Sequence, residues 1–460
     1  GSSPCLEAFI VALNEACGRK GWYVSTMQLQ LASLELCGAC RSVTTLHLTI
    51  TSGTPTHLWE EKESSDFRKA KQVRSTRVPV LRPYKVTWKL RTSWLMQKHR
   101  LENRERLPSY EHRLPMIVDR VVWPRGLKGL VLNASFNQTV EHVSWPESLQ
   151  ELDFDEDYNQ PLDRVAWPGS LQRLKVGNAF NQRISVVEWP PALQELELGR
   201  SFDQPIDGVT WPAPLKQLTF RGAFNRPIEG VVWPVALERL IFGYAFNMSI
   251  GRVAWPASLR RLDLGFAFNQ PVDGVAGAAS LRRLRFGCSF DQPVCAIAWP
   301  NSLRELTFGS HFNKPIEAAA WPVSLRKLSF GDAFDQPVRT TAWPNSLREL
   351  TFGFYFNKPI DGAAWPVSLQ QLSFGHCFDH PIDKVWWPMS LQELTFGYSF
   401  NQPIDGVAWP ASLQRLTFED RFNQPIDRVT WPDALQELSF GRCFKQPISK
   451  ATWPGSLQLL

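Results

Sequence analysis

Residues 399–418 read SFNQPIDGVAWPASLQRLTF, with two prolines, two phenylalanines and a tryptophan inside twenty positions. Nearly the same line recurs along most of the 460-residue chain. Tryptophan returns every 22 residues from Trp123 to Trp255 and again from Trp299 to Trp453, and Gly277 stands where the missing one would be. A second comb of the same period runs Phe136, Tyr158, Phe180, Phe202 and onward to Phe444. A period held through sixteen phases without insertion or deletion is the mark of a stacked repeat.

Each unit carries L-x-x-L-x-F, as in Leu413, Leu416 and Phe418. The alternation of the second Leu and the Phe predicts a short strand with one buried face. A Gly usually follows (Gly353, Gly375, Gly397), read as a backbone turn that other residues resist. Then come F-[N/D]-x-P-[I/V] and x-V-x-W-P, whose prolines mark corners because they cannot donate to a sheet. One unit cannot offset the cost of ordering its own backbone. Stacked coils can, since each then buries both flanks and pairs its strand twice. The expected fold is a β-rich repeat solenoid of parallel-strand, 22-residue coils. Sixteen coils at about 4.8 Å each would give a rod or shallow arc on the order of 75 Å long.

The Asn of F-N has a matching task, satisfying backbone groups at corners where no sheet partner exists. Leucine-rich repeats place an asparagine ladder similarly. F-N-Q-P-I together with W-P-x-S-L-x-x-L-x-F resembles the FNIP repeat family, a branch of the leucine-rich-repeat class, over about residues 113–460. In this chain the third position is mostly Gln, and Ile follows Pro instead of preceding it. The resemblance implies a right-handed solenoid used in protein interaction, with no catalytic residues to carry over. The chain thus divides into residues 1–112, an irregular α+β N-terminal region, and 113–460, a solenoid of about 16 coils. From Phe290 to Phe400 the residue after Phe alternates: Asp291, Asn313, Asp335, Asn357, Asp379, Asn401. Lys314 and Lys358 share that doubled period, the trace of a two-coil duplication.

Catalysis needs different groups converging on one point, whereas a solenoid makes lines of identical groups. No phosphate loop, H-E-x-x-H or nucleophile motif is present, so no enzyme, cofactor or metal is expected. The Ser of W-P-x-S-L is read as bonding its own turn. Cys377 and Cys443 lie three coils apart, beyond disulfide reach, and Cys288 and Cys295 flank a corner. Unpaired thiols favour a reducing, cytoplasmic location. Cys37 and Cys40 lack a second ligand pair, His47 and His57 being too far apart, and His376 and His380 read as corner residues. Of the sequons at Asn133, Asn137 and Asn247, the last two fall in the asparagine ladder, where a glycan would meet the next coil.

The net charge of +6 is carried by the first 112 residues, chiefly between Arg68 and Arg106. In the solenoid the notable charge is periodic. Arg260, Arg282, Arg304, Arg326 and Arg348 follow the first Leu of five successive coils. Arg239, Arg261, Arg283 and Lys327 stand beside them, and Arg285 lies two residues beyond Arg283. Side by side these cations repel unless neutralised, which makes them either a stripe for an acidic partner or a solvated edge with Glu305 and Glu349 as counterions. Gly277-Ala278 interrupts the Trp-Pro comb nearby, as a decayed coil or as a dent that a partner's side chain could enter.

In the N-terminal region, Leu6, Phe9, Ile10 and Leu13 space like a short helix ended by Gly18. MQLQLASLEL and TTLHLTIT alternate like strands, a possible hairpin. Residues 60–112 have no clear period and read as a basic arm or a cap. The whole points to a non-enzymatic protein-interaction scaffold with an unknown, possibly acidic partner. The alternatives are a polyanion or nucleic-acid binder, which steep salt dependence would reveal, and the recognition portion of a larger protein. No apolar run is long enough to cross a membrane as a helix.

Overall fold

The computed structural model describes residues 27–28, 45–51, 85–91, 123, 126–132 and 136–460. The chain forms two compact units, Gly1–Ser201 and Phe202–Leu460. The expected helix near the N-terminus, the Cys37–Cys40 pair, His57 and the Asn133 sequon lie outside the described residues.

In the first unit, β1 (Met27–Gln28) pairs antiparallel with β2 (Thr45–Thr51). Strand β2 runs parallel to β3 (Lys85–Arg91), which joins β4 (Gly129–Val131) through Lys89 and Val131. The basic stretch gave no periodic hint of β3. Strands β5 (Glu151–Asp153), β6 (Arg173–Lys175) and β7 (Glu195–Leu198) follow as parallel one-coil steps. Tyr158 takes a phenylalanine place here, its hydroxyl buried with no partner among the described residues, and burial pushes its pKa far up.

The second unit is a parallel ladder of eleven strands, from β8 (Gln217–Phe220) and β9 (Arg239–Ile241) through β10 (Arg261–Leu264), β11 (Arg283–Phe286), β12 (Glu305–Thr307), β13 (Lys327–Ser329) and β14 (Glu349–Thr351) to β18 (Glu437–Ser439). Every register step is one repeat, so Leu262 pairs Leu284, Leu284 pairs Leu306 and Leu306 pairs Leu328. The strands are short because both flanks turn. At the entry, Leu303 N–H donates to Pro300 O at 3.0 Å, holding the W-P-x-S-L corner. Past the Phe the chain turns at the Gly column, where an added Cβ would meet the backbone of the preceding coil.

The core is layered by residue type. Leu284, Leu306 and Leu328 are at most 1 % exposed. Phe308 and Phe312 stack at 4.1 Å within a coil, and Phe312 meets Phe334 at 6.0 Å across coils. Trp299, Trp321 and Trp343 form a third stack at 6.3 and 6.5 Å, edge-on to the phenylalanines. Such offset and edge contacts suit the ring quadrupole.

Two details correct the sequence reading. The repeated serines do not bond their own turn: Ser302, Ser324 and Ser346 donate to Leu281 O, Leu303 O and Leu325 O of the preceding coil, at 2.6–2.7 Å. Nor does the Gly after Phe serve a turn of unusual φ. A Cβ on Gly375 would lie 1.6 Å from Gly353 O, so the column is glycine because coils touch there.

Candidate functional site

The polar seam between coils accounts for the alternation after Phe. Asn313 Oδ1 accepts from Asp335 N–H at 3.0 Å, and Asp335 Oδ1 accepts from Asn357 N–H at 2.8 Å. Only an acceptor is required, so Asp and Asn interchange. The residue beyond varies, and Gln402 donates to Asp379 as a glutamine does to Asn. Gln336 Nε2 donates to Asn313, whereas Lys314 and Lys358 pair with Asp291 and Asp335 at 2.8 and 2.7 Å. Asn247 sits in this seam, its Oδ1 accepting from Asn269 N–H at 2.8 Å. These groups are committed to holding coils together.

The predicted cations fall into two rows that differ in kind. The strand row is compensated from Arg261 to Lys327. Arg283 pairs with Glu305 at 2.9 Å, and Lys327 with Glu349 at 2.5 Å. Arg261 forks onto Asp263 of its own strand at 2.6–3.2 Å, a bond that raises its pKa further. Arg239 meets Gln217 at 3.5 Å.

The flank row lies one residue earlier, and its backbone is a continuous ladder. Arg282 N–H donates to Arg260 O, Arg304 to Arg282, Arg326 to Arg304 and Arg348 to Arg326, at 2.8–2.9 Å. All five side chains are exposed. Arg260 approaches Glu238 at 3.9 Å, but among the described residues Arg282, Arg304, Arg326 and Arg348 form no ion pair. The interleaved glutamates therefore serve the strand row and leave the flank row open. At a separation of about 5 Å in water each neighbouring pair repels by roughly 0.8 kcal/mol before screening.

Arg285 occupies neither row. It lies opposite Asp263 in the ladder and lines an open groove of about 330 Å³ with Phe266, Cys288, Thr307 and Ser310. Among the described residues it too forms no ion pair, since the Asp263 carboxylate is engaged by Arg261.

At Gly277 a 3-10 turn, Asp273–Gly277, stands where other coils have the Trp-Pro corner, and Trp255 Nε1 donates to Gly274 O at 3.0 Å. Trp255 and Trp299 on either side stay 8 % and 7 % exposed, like their counterparts.

A surface ring column, exposed at Tyr244, Phe266 and Phe354 and half-buried at His376 and Tyr398, escaped sequence reasoning. Two residues after the last core position of the strand, held by Phe or, before Phe266, by Leu264, Tyr244 stacks on Phe266 at 4.6 Å, Phe354 on His376 at 4.3 Å and His376 on Tyr398 at 4.4 Å. Arg421 lies 5.3 Å from the Tyr398 ring centre. The signal was the shared phase of these residues, obscured by their differing types. His380 lies apart from it, its Nε2 3.0 Å from Asn357 O. Cys288, Cys295, Cys377 and Cys443 are free thiols. Among the described residues no cluster of His, Cys, Asp or Glu could hold a metal ion, and no helix is long and apolar enough to cross a membrane.

With this geometry in view, comparison with known proteins is direct. Five matches to the FNIP Repeat family together span residues 312–460. These coils are FNIP repeats. Among solved structures, the FNIP-bearing chain is similar to CroV588, described as a novel circular LRR protein, at 36 % identity and a TM-score of 0.64. The match covers 72 % of this chain and 52 % of that one, so the chain spans about half of CroV588. An internalin from Listeria monocytogenes matches at 15 % identity and a TM-score of 0.41, covering 65 % of this chain and 82 % of that one. It is too distant to add to the reading. Comparison with curated proteins returns no match. The fold is thus a leucine-rich-repeat-like solenoid, a form commonly used for protein interaction.

Proposed function

We propose that the FNIP solenoid is a non-enzymatic docking scaffold whose flank row of arginines receives an acidic segment of a protein partner. The observation that carries this is the contrast between rows. In the strand row Arg261, Arg283 and Lys327 have carboxylates at 2.5–2.9 Å, while Arg282, Arg304, Arg326 and Arg348 stand exposed, in line and without an ion pair among the described residues. A partner that supplies carboxylates relieves their mutual repulsion and gains charge-assisted hydrogen bonds. Such a row steers encounter and sets register more than it adds raw affinity.

A protein segment suits the surface better than a uniform polyanion. Its open cations stand as single points one coil apart, because Glu305 and Glu349 are paired with Arg283 and Lys327 in the strand row. Acidic side chains on successive turns of a helix, roughly 5–6 Å apart, come near that coil step.

The test is fluorescence anisotropy of a labelled helical peptide with four glutamates at i, i+4 spacing, against the full chain and its R282Q/R304Q/R326Q/R348Q variant. Binding should weaken at least tenfold in the variant and fall with salt, and a labelled 20-nucleotide single strand should bind more weakly than the peptide. Equal peptide affinity for the two proteins would remove the row from the function, and stronger binding of the oligonucleotide would favour a polyanion reader.

A further inference from the structure

The surface ring column is interrupted over three coils, and the interruption lies beside Arg285. Tyr244 and Phe266 begin it, Phe354, His376 and Tyr398 resume it, and the places between are held by Cys288, Ser310 and Asp332. Where consecutive rings exist they stack at 4.3–4.6 Å with planes within 11°. The backbone path through the gap is unchanged, since β11 to β14 keep their one-repeat register. What is missing is side-chain volume. Phe266 consequently stacks on Tyr244 by one face, and among the described residues no ring covers its other face. It is 40 % exposed and forms one wall of the 330 Å³ groove.

The remaining walls mix apolar residues, Leu264 and Phe308 among them, with small polar ones and the Asp263 carboxylate, which Arg261 holds. Cys288 and Ser310 lie along the column, with Ser310 Oγ donating to Cys288 Sγ at 3.9 Å, while Thr307 and Arg285 rise from the strand side. An aromatic face, a place of ring size and a cation without a counterion select a flat ring next to a negative charge. A purely apolar guest would leave Arg285 unanswered, and a purely anionic one would leave the Phe266 face in water.

We propose that this gap takes one aromatic side chain of the acidic partner segment, a tyrosine or phenylalanine that stacks on Phe266 over Cys288 while a carboxylate beside it meets Arg285. This rests on the docking reading above, and it names the residue that would fix the segment's register. Arg282 and Arg285 belong to the same coil, three residues or about 10 Å apart. One segment can therefore reach both the flank row and the gap.

Two labelled peptides test it on the full chain by anisotropy: the helical four-glutamate peptide with a central Tyr, and its Ala counterpart. The Tyr peptide should bind about tenfold more tightly, the order expected for one well-placed ring stack. Cys288→Phe, which completes the column, should abolish that preference while leaving the Ala peptide's affinity unchanged. Arg285→Gln should reduce it, and Cys288→Ala, which fills nothing and is safe for folding, should keep it. Equal binding of the two peptides to the native chain, with sensitivity to R282Q/R304Q/R326Q/R348Q intact, would overturn the gap and spare the docking row. A preference that survives in a folded Cys288→Phe protein would overturn it too. Absence of binding by either peptide would overturn both.

Discussion

Gly375 lacks a Cβ, and the coil before it leaves no room for one. An added Cβ would sit 1.6 Å from Gly353 O and 2.4 Å from Gly353 C, both backbone atoms that cannot rotate away. Gly406 is a glycine for the other reason: its φ is +81°, yet open space surrounds its missing Cβ. The two cases separate in size. Gly375→Ala has to push two stacked coils apart and should cost about 3 kcal/mol, at the upper end for overpacking. Gly406→Ala pays only for a left-handed backbone, about 1 kcal/mol. Urea unfolding of the two variants checks the order, and an equal or reversed order would contradict backbone contact as the cause. Read from the chain alone, the Gly after Phe looks like a turn residue. A clash with a residue 22 positions earlier becomes visible only once the coils are laid on each other.

The seam between coils shows how an element is specified by partners of different kinds. Each Asn or Asp gives one oxygen to the next coil's backbone N–H, and a second donor comes from the residue after it, Gln336 on Asn313 or Lys314 on Asp291. Asn313→Ala strands the Asp335 N–H and should cost roughly 1–3 kcal/mol. Asn313→Asp keeps the accepting oxygen and should cost less than about 1 kcal/mol, because the amide nitrogen of Asn313 has no part in the seam. Thermal unfolding of the pair measures this, and equal losses would show that the amide nitrogen matters. The asparagine ladder was legible in the sequence because it repeats. The Asp–Lys pairing was visible only as a doubled period, since charge pairing 23 residues apart has no local signature. The strand row was half legible in the same way: Glu305 and Glu349 could be named as counterions, but not which row they would neutralise. The surface ring column was missed because Tyr, Phe and His share a place without sharing a type, and a period search sees identity before position.

In the second unit every strand touches only its neighbours one repeat away, so stability there is close to a sum of coil and interface contributions. The number of coils is then adjustable, provided that the cut respects the period and the seam. Removing residues 312–355, two coils, brings Phe356 into the place of Phe312 and Lys358 into that of Lys314 beside Asp291. All combs stay in phase, and the acidic seam residue keeps a cation. Removing residues 312–344, one and a half coils, instead sets strands against corners and Leu against Pro. The first deletion should retain the native far-UV circular dichroism per residue and a cooperative melt lowered by a few degrees; the second should not fold. The phased deletion also shortens the flank row, because Arg326 and Arg348 leave and Gln370 follows Arg304. Two exposed charge contacts at up to about 1 kcal/mol each correspond to a loss of as much as roughly thirtyfold. A folded deletion protein should therefore bind the labelled four-glutamate peptide several-fold to thirtyfold more weakly, with a shallower dependence on salt. Native affinity in that protein would mean that the row's length is irrelevant to docking, whereas failure of the phased deletion to fold would mean that the coils are not the independent slabs their register implies.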